Sequence, residues 1–133
     1  MTTREVKAYL RQYRGSIDRT RETTEHLDEL KAEAIRLKDH EGQKVALDDA
    51  VQKYVDACND AAVYLDMLSD LRRKIESEIE SISEPKLQTV LRMRYISGKT
   101  FEQIAVDMNK SWRHTVRLHG AAILEIKKIL ECH

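Results

Sequence analysis

The sequence predicts an all-α fold in which a long antiparallel helical hairpin precedes a smaller module of shorter helices. Charged residues make up 35% of the chain and aromatic residues 5%, and the 133 residues include one proline and four glycines. This composition is typical of long helices with solvated faces and argues against a β-sandwich. Over most of residues 2–82, apolar residues recur at alternating steps of three and four, the spacing of a coiled-coil seam.

The first helix is predicted over residues 2–38. Thr2 with Glu5 three residues later has the form of a capping box, which marks a helix start. The predicted seam of apolar or small residues then comprises Val6, Leu10, Tyr13, Ile17, Thr20, Thr24, Leu27, Leu30 (or Lys31), Ala34 and Leu37. Gly15 lies inside this helix and costs up to about 1 kcal/mol relative to alanine.

A polar turn over residues 39–44, containing Gly42, leads into a second helix predicted over residues 45–82. Its seam is expected at Leu47, Val51, Tyr54, Cys58, Ala61, Leu65, Leu68, Leu71 (or Arg72), Ile75, Ile79 and Ile82. Matched lengths and a short connection predict an antiparallel hairpin. Further apolar residues lie beside this seam, namely Val55, Ala62, Val63 and Met67. Because two helices alone leave them in water, we expect the C-terminal module or a second copy to cover them, and we favour a homodimer.

The C-terminal part is predicted to contain three helices, over residues 85–97, 101–108 and 112–131. Pro85 breaks the second long helix and starts the next one, and Gly98 suits the position after a helix end. Thr100 with Gln103 forms a second capping box, and Ser111 caps the last helix. The inner face of that helix is expected at Leu118, Ala122, Ile126 and Ile129.

The last two helices have the spacing of a helix-turn-helix. Ala105 supplies the small residue where two steeply packed helices cross, and Asn109, four positions later, tolerates the left-handed turn conformation. Thr115 and Leu118 stand at inward-facing places. The outer surface is therefore predicted to carry Trp112, Arg113, His114, Val116 and Arg117.

These outer residues suit recognition of double-stranded DNA in the major groove. Arginine pairs bidentately with O6 and N7 of guanine. Ser111 and the first amides of the last helix suit a phosphate, and Lys99 and Lys110 flank the unit where the DNA backbone would run. His119 is expected at the surface or in a capping role, as is His114.

Charge is distributed unevenly along the chain. Residues 1–82 contain 14 Lys/Arg against 18 Asp/Glu, whereas residues 83–133 contain 9 against 5. The boundary at 82/83 is therefore predicted to separate an acidic region for oligomerisation or protein contacts from a basic DNA-binding module. With no apolar leader and no membrane-length apolar run, we expect a cytoplasmic protein of a bacterial host cell.

Sequence signatures of enzymes are absent, including phosphate loops, dinucleotide-binding glycine patterns and zinc-protease motifs. We therefore expect no catalytic activity and no cofactor. Glu131, Cys132 and His133 have metal-ligand side chains but lie where a terminal helix frays, so no metal site is predicted. Cys58 and Cys132 lie far apart in sequence, and a disulfide between them is not expected.

The segment LQTVLRMRYISGKTFEQIAVDMNKSWRHTVRLHGAAIL resembles region 4 of sigma-70-type factors, which reads the promoter −35 element. It resembles more closely a family of small phage and prophage proteins of unknown function, in which a long helical hairpin precedes a sigma-region-4-like helix-turn-helix. The resemblance implies phage gene regulation, with RNA polymerase as a possible partner. It places DNA contacts on Ser111, Trp112, Arg113, His114 and Arg117. With the flanking positions, the predicted DNA-binding set is Lys99, Thr100, Lys110, Ser111, Trp112, Arg113, His114 and Arg117.

Two other functions remain open from the sequence. Small terminase subunits of phage packaging also join a helix-turn-helix to helical oligomerisation elements, and a ring of many copies would distinguish them from a regulator. The third hypothesis is a helical adaptor that uses a degenerate helix-turn-helix to dock protein. It is favoured by Thr115 and Lys110, which stand where sigma-like modules usually carry apolar residues, and by the low net charge.

Overall fold

A computed structural model describes residues 1–132. His133, one of the three C-terminal residues with metal-ligand side chains, lies outside the described residues. The described chain is helical throughout, without a β-strand, which confirms the all-α prediction. The helices are α1 (Thr3–Lys38), α2 (Lys44–Glu80), α3 (Pro85–Leu91), α4 (Phe101–Met108) and α5 (Trp112–Glu131), with a π-helical turn at Arg92–Ile96 between α3 and α4. No helix within residues 1–132 is long and apolar enough to cross a membrane.

Local chemistry accounts for the ends of the first two helices. The Glu5 backbone N–H donates to Thr2 Oγ1 (3.2 Å), and the Thr2 N–H donates to Glu5 Oε2 (2.9 Å), so the predicted capping box is present. Between α1 and α2, Gly42 adopts a φ of 78°. This left-handed conformation carries little penalty for glycine and allows the chain to reverse.

The chain forms two compact units, each built from pieces of both long helices. The first comprises residues 1–15 and 70–132 and contains most of the buried apolar side chains. In it, Val6, Leu10 and Tyr13 of α1 and Ile75 and Ile79 of α2 are buried, as predicted for the hairpin seam. The predicted boundary at 82/83 falls inside this unit.

The second unit comprises residues 16–69 and has a much thinner core. Its buried apolar residues are Leu37, Ala50 and Ala61. The predicted seam of α2 is partly wrong here, because Val51 and Leu65 are exposed and Cys58 is only half-buried. Ala50, which precedes Val51, is buried in its place, whereas Ala61 of the predicted seam is buried as expected. Cys58 and Cys132 are free thiols.

The helix predicted over residues 85–97 changes its hydrogen-bond pattern partway. It is α-helical to Leu91 and then forms a π-helical turn, in which the Ser97 N–H donates to the Arg92 carbonyl (3.0 Å). The wider turn accommodates Tyr95 and Ile96, which are both buried. Gly98 follows with a φ of 73° and ends the segment as predicted.

Candidate nucleic-acid interface

The short helix α4 is fixed at both ends by local contacts. At its start, the Gln103 N–H donates to Thr100 Oγ1 (3.2 Å) and the Thr100 N–H donates to Gln103 Oε1 (2.9 Å), so this predicted capping box is also present. At its end, Asn109 adopts the left-handed conformation with a φ of 55°. The Lys110 N–H then donates to the Ala105 carbonyl (2.9 Å), which closes the tight turn before α5.

The helix α5 begins at Trp112 because Ser111 caps it. Ser111 Oγ accepts from the His114 N–H (3.1 Å). Thr115 is fully buried, and its hydroxyl donates to the Ser111 carbonyl (2.9 Å). The threonine therefore occupies an apolar position without leaving an unsatisfied hydroxyl. Ala122 and Ile126 are buried as predicted, whereas Leu118 and Ile129 are only half-buried.

The expectation that His119 lies at the surface is wrong. Its ring is buried, and its Nε2 shares a hydrogen bond with the Tyr95 hydroxyl (2.7 Å). The edge of Phe101 packs against it at a centroid distance of 4.9 Å. Burial, followed by the nearby cations Lys7, Arg94 and Arg11, lowers the pKa of His119 from 6.5 to about 4. Burial also raises the pKa of Tyr95. This pair ties α5 to the π-helical turn.

Two arginines that were not predicted to have a role contact the segment that precedes α4. The Arg94 guanidinium lies over the Phe101 ring, 4.3 Å from its centroid, and donates to the Lys99 carbonyl (3.1 Å). Arg14 of α1 donates to the Ile96 carbonyl (3.2 Å) and lies against Gly98. Arg94 lies in the segment quoted for the family resemblance, but nothing local in the sequence connects Arg14 to Ile96, 82 positions later.

The start of α5 presents an outer face, defined here as Trp112, Arg113 and Arg117. All three side chains are exposed, and Trp112 is 54% exposed. Within residues 1–132, neither arginine forms a salt bridge. The first turn of α5 contains no acidic residue, so the positive end of its helix dipole is not neutralised locally.

The remaining predicted DNA contacts surround this outer face unevenly. Thr100 and Ser111 are exposed at the starts of α4 and α5, while Lys110 and His114 are half-buried. The Lys99 ammonium forms an ion pair with Asp107 of α4. Thr100 and Ser111 also use their hydroxyls as caps, so only their remaining hydrogen-bonding capacity is available to a ligand.

One family model matches the chain, over residues 32–127, and its description is "Protein of unknown function (DUF1492)". No curated protein and no solved structure matches. The matched segment begins near the end of α1, includes all of α2, α3 and α4, and ends within α5. Since it covers well over half of the chain, this protein belongs to the DUF1492 family.

Proposed function

We propose that this protein is a sequence-specific DNA-binding regulator of transcription, of phage or prophage origin. In this proposal the α4–turn–α5 unit acts as a sigma-region-4-like helix-turn-helix, and the start of α5 enters the major groove of double-stranded DNA. The observation that carries the proposal is the division of α5 into two faces. Thr115 and His119 anchor one face in the core, while Arg113 and Arg117 project from the other with no ionic partner in the described chain.

The two arginines supply the chemistry for base recognition. They are four residues apart on one helix, so their side chains leave from neighbouring positions of the same face. A guanidinium donates two parallel hydrogen bonds to guanine O6 and N7, and each such pair gives about 1–3 kcal/mol of discrimination. An arginine that is paired with a carboxylate must break that ion pair before it binds a base. Arg113 and Arg117 have no such pair to break within residues 1–132.

Phosphate contacts would come from the helix start and the flanking lysines. The backbone amides in the first turn of α5 lack intrahelical acceptors and suit a phosphate oxygen. Lys110 lies in the turn, and Lys99 would exchange its ion pair with Asp107 for one with a phosphate. The excess of basic over acidic residues after residue 82 is consistent with this polyanion partner.

The second candidate function is a helical adaptor, and the surface of α4 favours it. Val106 is 79% exposed and stands beside exposed Glu102 and Asp107. An apolar and acidic surface suits a protein partner better than a phosphate backbone. RNA polymerase, the partner implied by the sigma-like resemblance, would be compatible with both functions if α4 and α5 contact different molecules.

The test is fluorescence anisotropy of the full chain on labelled DNA fragments flanking its own gene, titrated with salt. We expect one fragment to bind far more tightly than random DNA, with affinity falling steeply as salt rises because phosphate contacts release counterions. The double variant Arg113→Ala with Arg117→Ala should bind the specific fragment at least about 30-fold more weakly, because each arginine contributes about 1 kcal/mol or more of binding free energy.

The matched control removes two positive charges from the far end of the same helix, through Lys127→Ala with Lys128→Ala. If the arginines read bases, the control should keep its preference for the specific fragment. Equal losses of DNA affinity in the two double variants would show that the interaction is nonspecific charge attraction. Binding no tighter than to random DNA would contradict the proposal, and retention of a protein partner by the arginine variant would favour the adaptor.

A further inference from the structure

The second unit has few fully buried side chains. Across residues 16–69, the buried side chains are Leu37 and two alanines, Ala50 and Ala61. Isolated helices gain most of their stability from packing of an apolar face rather than from intrinsic propensity. A pair of helices held by so few buried groups therefore leaves its apolar surface available to a further partner.

That surface is a second heptad seam on α2, here called the outer seam. It comprises Val51, Val55, Cys58, Ala62, Leu65 and Ser69. The steps between these residues are four, three, four, three and four, which is the repeat of a coiled-coil interface. Val51, Val55 and Leu65 are between 43% and 50% exposed. The outer seam lies beside the buried residues Ala50 and Ala61, and five of its six residues are exposed, whereas Cys58 is half-buried.

We propose that the outer seam is a self-association surface, on which the α2 helices of two copies of this chain pack antiparallel. The proposal stands independently of DNA recognition. In one register every position of the outer seam finds a partner: Val55 meets the partner's Leu65, Cys58 meets the partner's Ala62, and Val51 meets the partner's Ser69. Two-fold symmetry repeats each layer, as a closed homodimer requires.

The polar residues beside the outer seam decide between a second copy in this orientation and in the parallel one. Gln52, Asn59 and Asp66 follow the seam on its solvent side. In the antiparallel register, Asn59 lies near the partner's Asn59, and Gln52 lies near the partner's Asp66. Both contacts are complementary, because a side-chain amide can donate to an amide oxygen or to a carboxylate. In a parallel pair these residues would lie on opposite sides of the interface, so the contact between the two Asn59 side chains and the contact between Gln52 and Asp66 would both be lost.

Other exposed apolar residues of α2 do not belong to this surface and provide a control. Val63 and Met67 are 62% and 65% exposed. At 100° per residue, they lie roughly a third of a turn or more away from the outer seam. Their exposure is greater, so an interaction driven only by exposed apolar area would depend on them rather than on Val55 and Leu65.

The first test is sedimentation velocity on the full chain across a concentration series. We expect a reversible dimer, and Val55→Glu with Leu65→Glu should shift it to monomer by at least about tenfold in Kd. Both side chains are half-exposed in one chain, so the glutamates stay solvated when the copies separate, and far-UV circular dichroism should show unchanged helicity. The control Val63→Glu with Met67→Glu should leave the dimer intact. A wild-type monomer at all concentrations, or equal effects of both double variants, would overturn the proposal.

The second test measures orientation, using nitroxide labels in a background with Cys58→Ala and Cys132→Ala. In the antiparallel register, two labels at Asn59→Cys lie about 3 Å apart along the helix axis, whereas two labels at Gln52→Cys lie about 24 Å apart along it. Electron–electron distance measurements should therefore give a short distance at position 59 and a long one at position 52. Equal distances at the two positions would indicate a parallel pair and would contradict the register.

Discussion

Acidification should destabilise the first unit through His119. The ring is 6% exposed, shares a hydrogen bond with Tyr95 and packs against Phe101. Burial and the cations Lys7, Arg94 and Arg11 all disfavour the imidazolium, and its pKa falls from 6.5 to about 4. In the unfolded chain these constraints are absent, so the ring titrates near its ordinary pKa.

The direction of the pH effect on the free energy of unfolding follows from the difference in proton binding between the folded and unfolded chain. Since the folded pKa lies below the unfolded one, the unfolded chain binds more protons between about pH 4 and 6.5. The contribution of His119 to the free energy of unfolding is therefore fully present above this window and is lost as pH falls through it. At 1.36 kcal/mol per pKa unit, the full contribution is at most about 3 kcal/mol. About 2 kcal/mol of it should disappear between roughly pH 7 and pH 5.

The assay is urea unfolding followed by far-UV circular dichroism at these two pH values, on the wild type and on His119→Gln. Glutamine keeps a hydrogen-bonding group near Tyr95 but does not titrate. The variant should start from a lower stability at neutral pH, because its side chain packs less well. Its further loss on acidification should be smaller than that of the wild type by about 2 kcal/mol. Equal losses in the two proteins would refute the assignment to His119, because the other histidines are common to both.

Two further predictions concern local conformation. Gly98→Ala should lower the free energy of unfolding by about 1–2 kcal/mol, because the φ of 73° at this position is unfavourable for alanine and an added Cβ would meet the Arg14 guanidinium. Gly15 has open space around it, so Gly15→Ala should instead raise the free energy of unfolding by about 0.5–1 kcal/mol. Urea unfolding measures both changes. Thr100→Ala should cost about 1 kcal/mol by removing the α4 cap, and Thr100→Ser should restore most of it; a thermal melt that ranks alanine and serine equally would contradict this.

The helix ends were the most predictable part of the fold. Thr2, Thr100 and Ser111 cap helices through contacts within three residues. Asn109 and Gly98 adopt positive φ, which asparagine tolerates better than most residues and glycine adopts freely because it has no Cβ. Such features depend on neighbours along the chain. The bounds of α4 and α5 accordingly coincide with the prediction.

Features that depend on tertiary packing were less predictable. Val51 and Leu65 were wrongly assigned to the buried seam of α2, because two adjacent stripes of this helix share the same three-and-four spacing and only packing against α1 distinguishes them. His119 looked like a surface residue because its partners, Tyr95 and Phe101, lie on other segments. At the candidate interface, the exposure of Arg113 and Arg117 agrees with the prediction, while the DNA contacts themselves remain predictions.

Trp112 is the only tryptophan in the sequence, and it lies half-exposed in the first turn of α5. Its intrinsic emission therefore reports on that one location without an attached dye. A molecule that covers the indole shifts the emission to shorter wavelength or quenches it, whereas an interaction at the far end of α5 leaves the spectrum unchanged. The half-exposed indole is also apolar surface left in water, so its removal from solvent gives a negative heat-capacity change that calorimetry detects. The chain thus carries a spectroscopic and a calorimetric probe at the position where its proposed ligand binds.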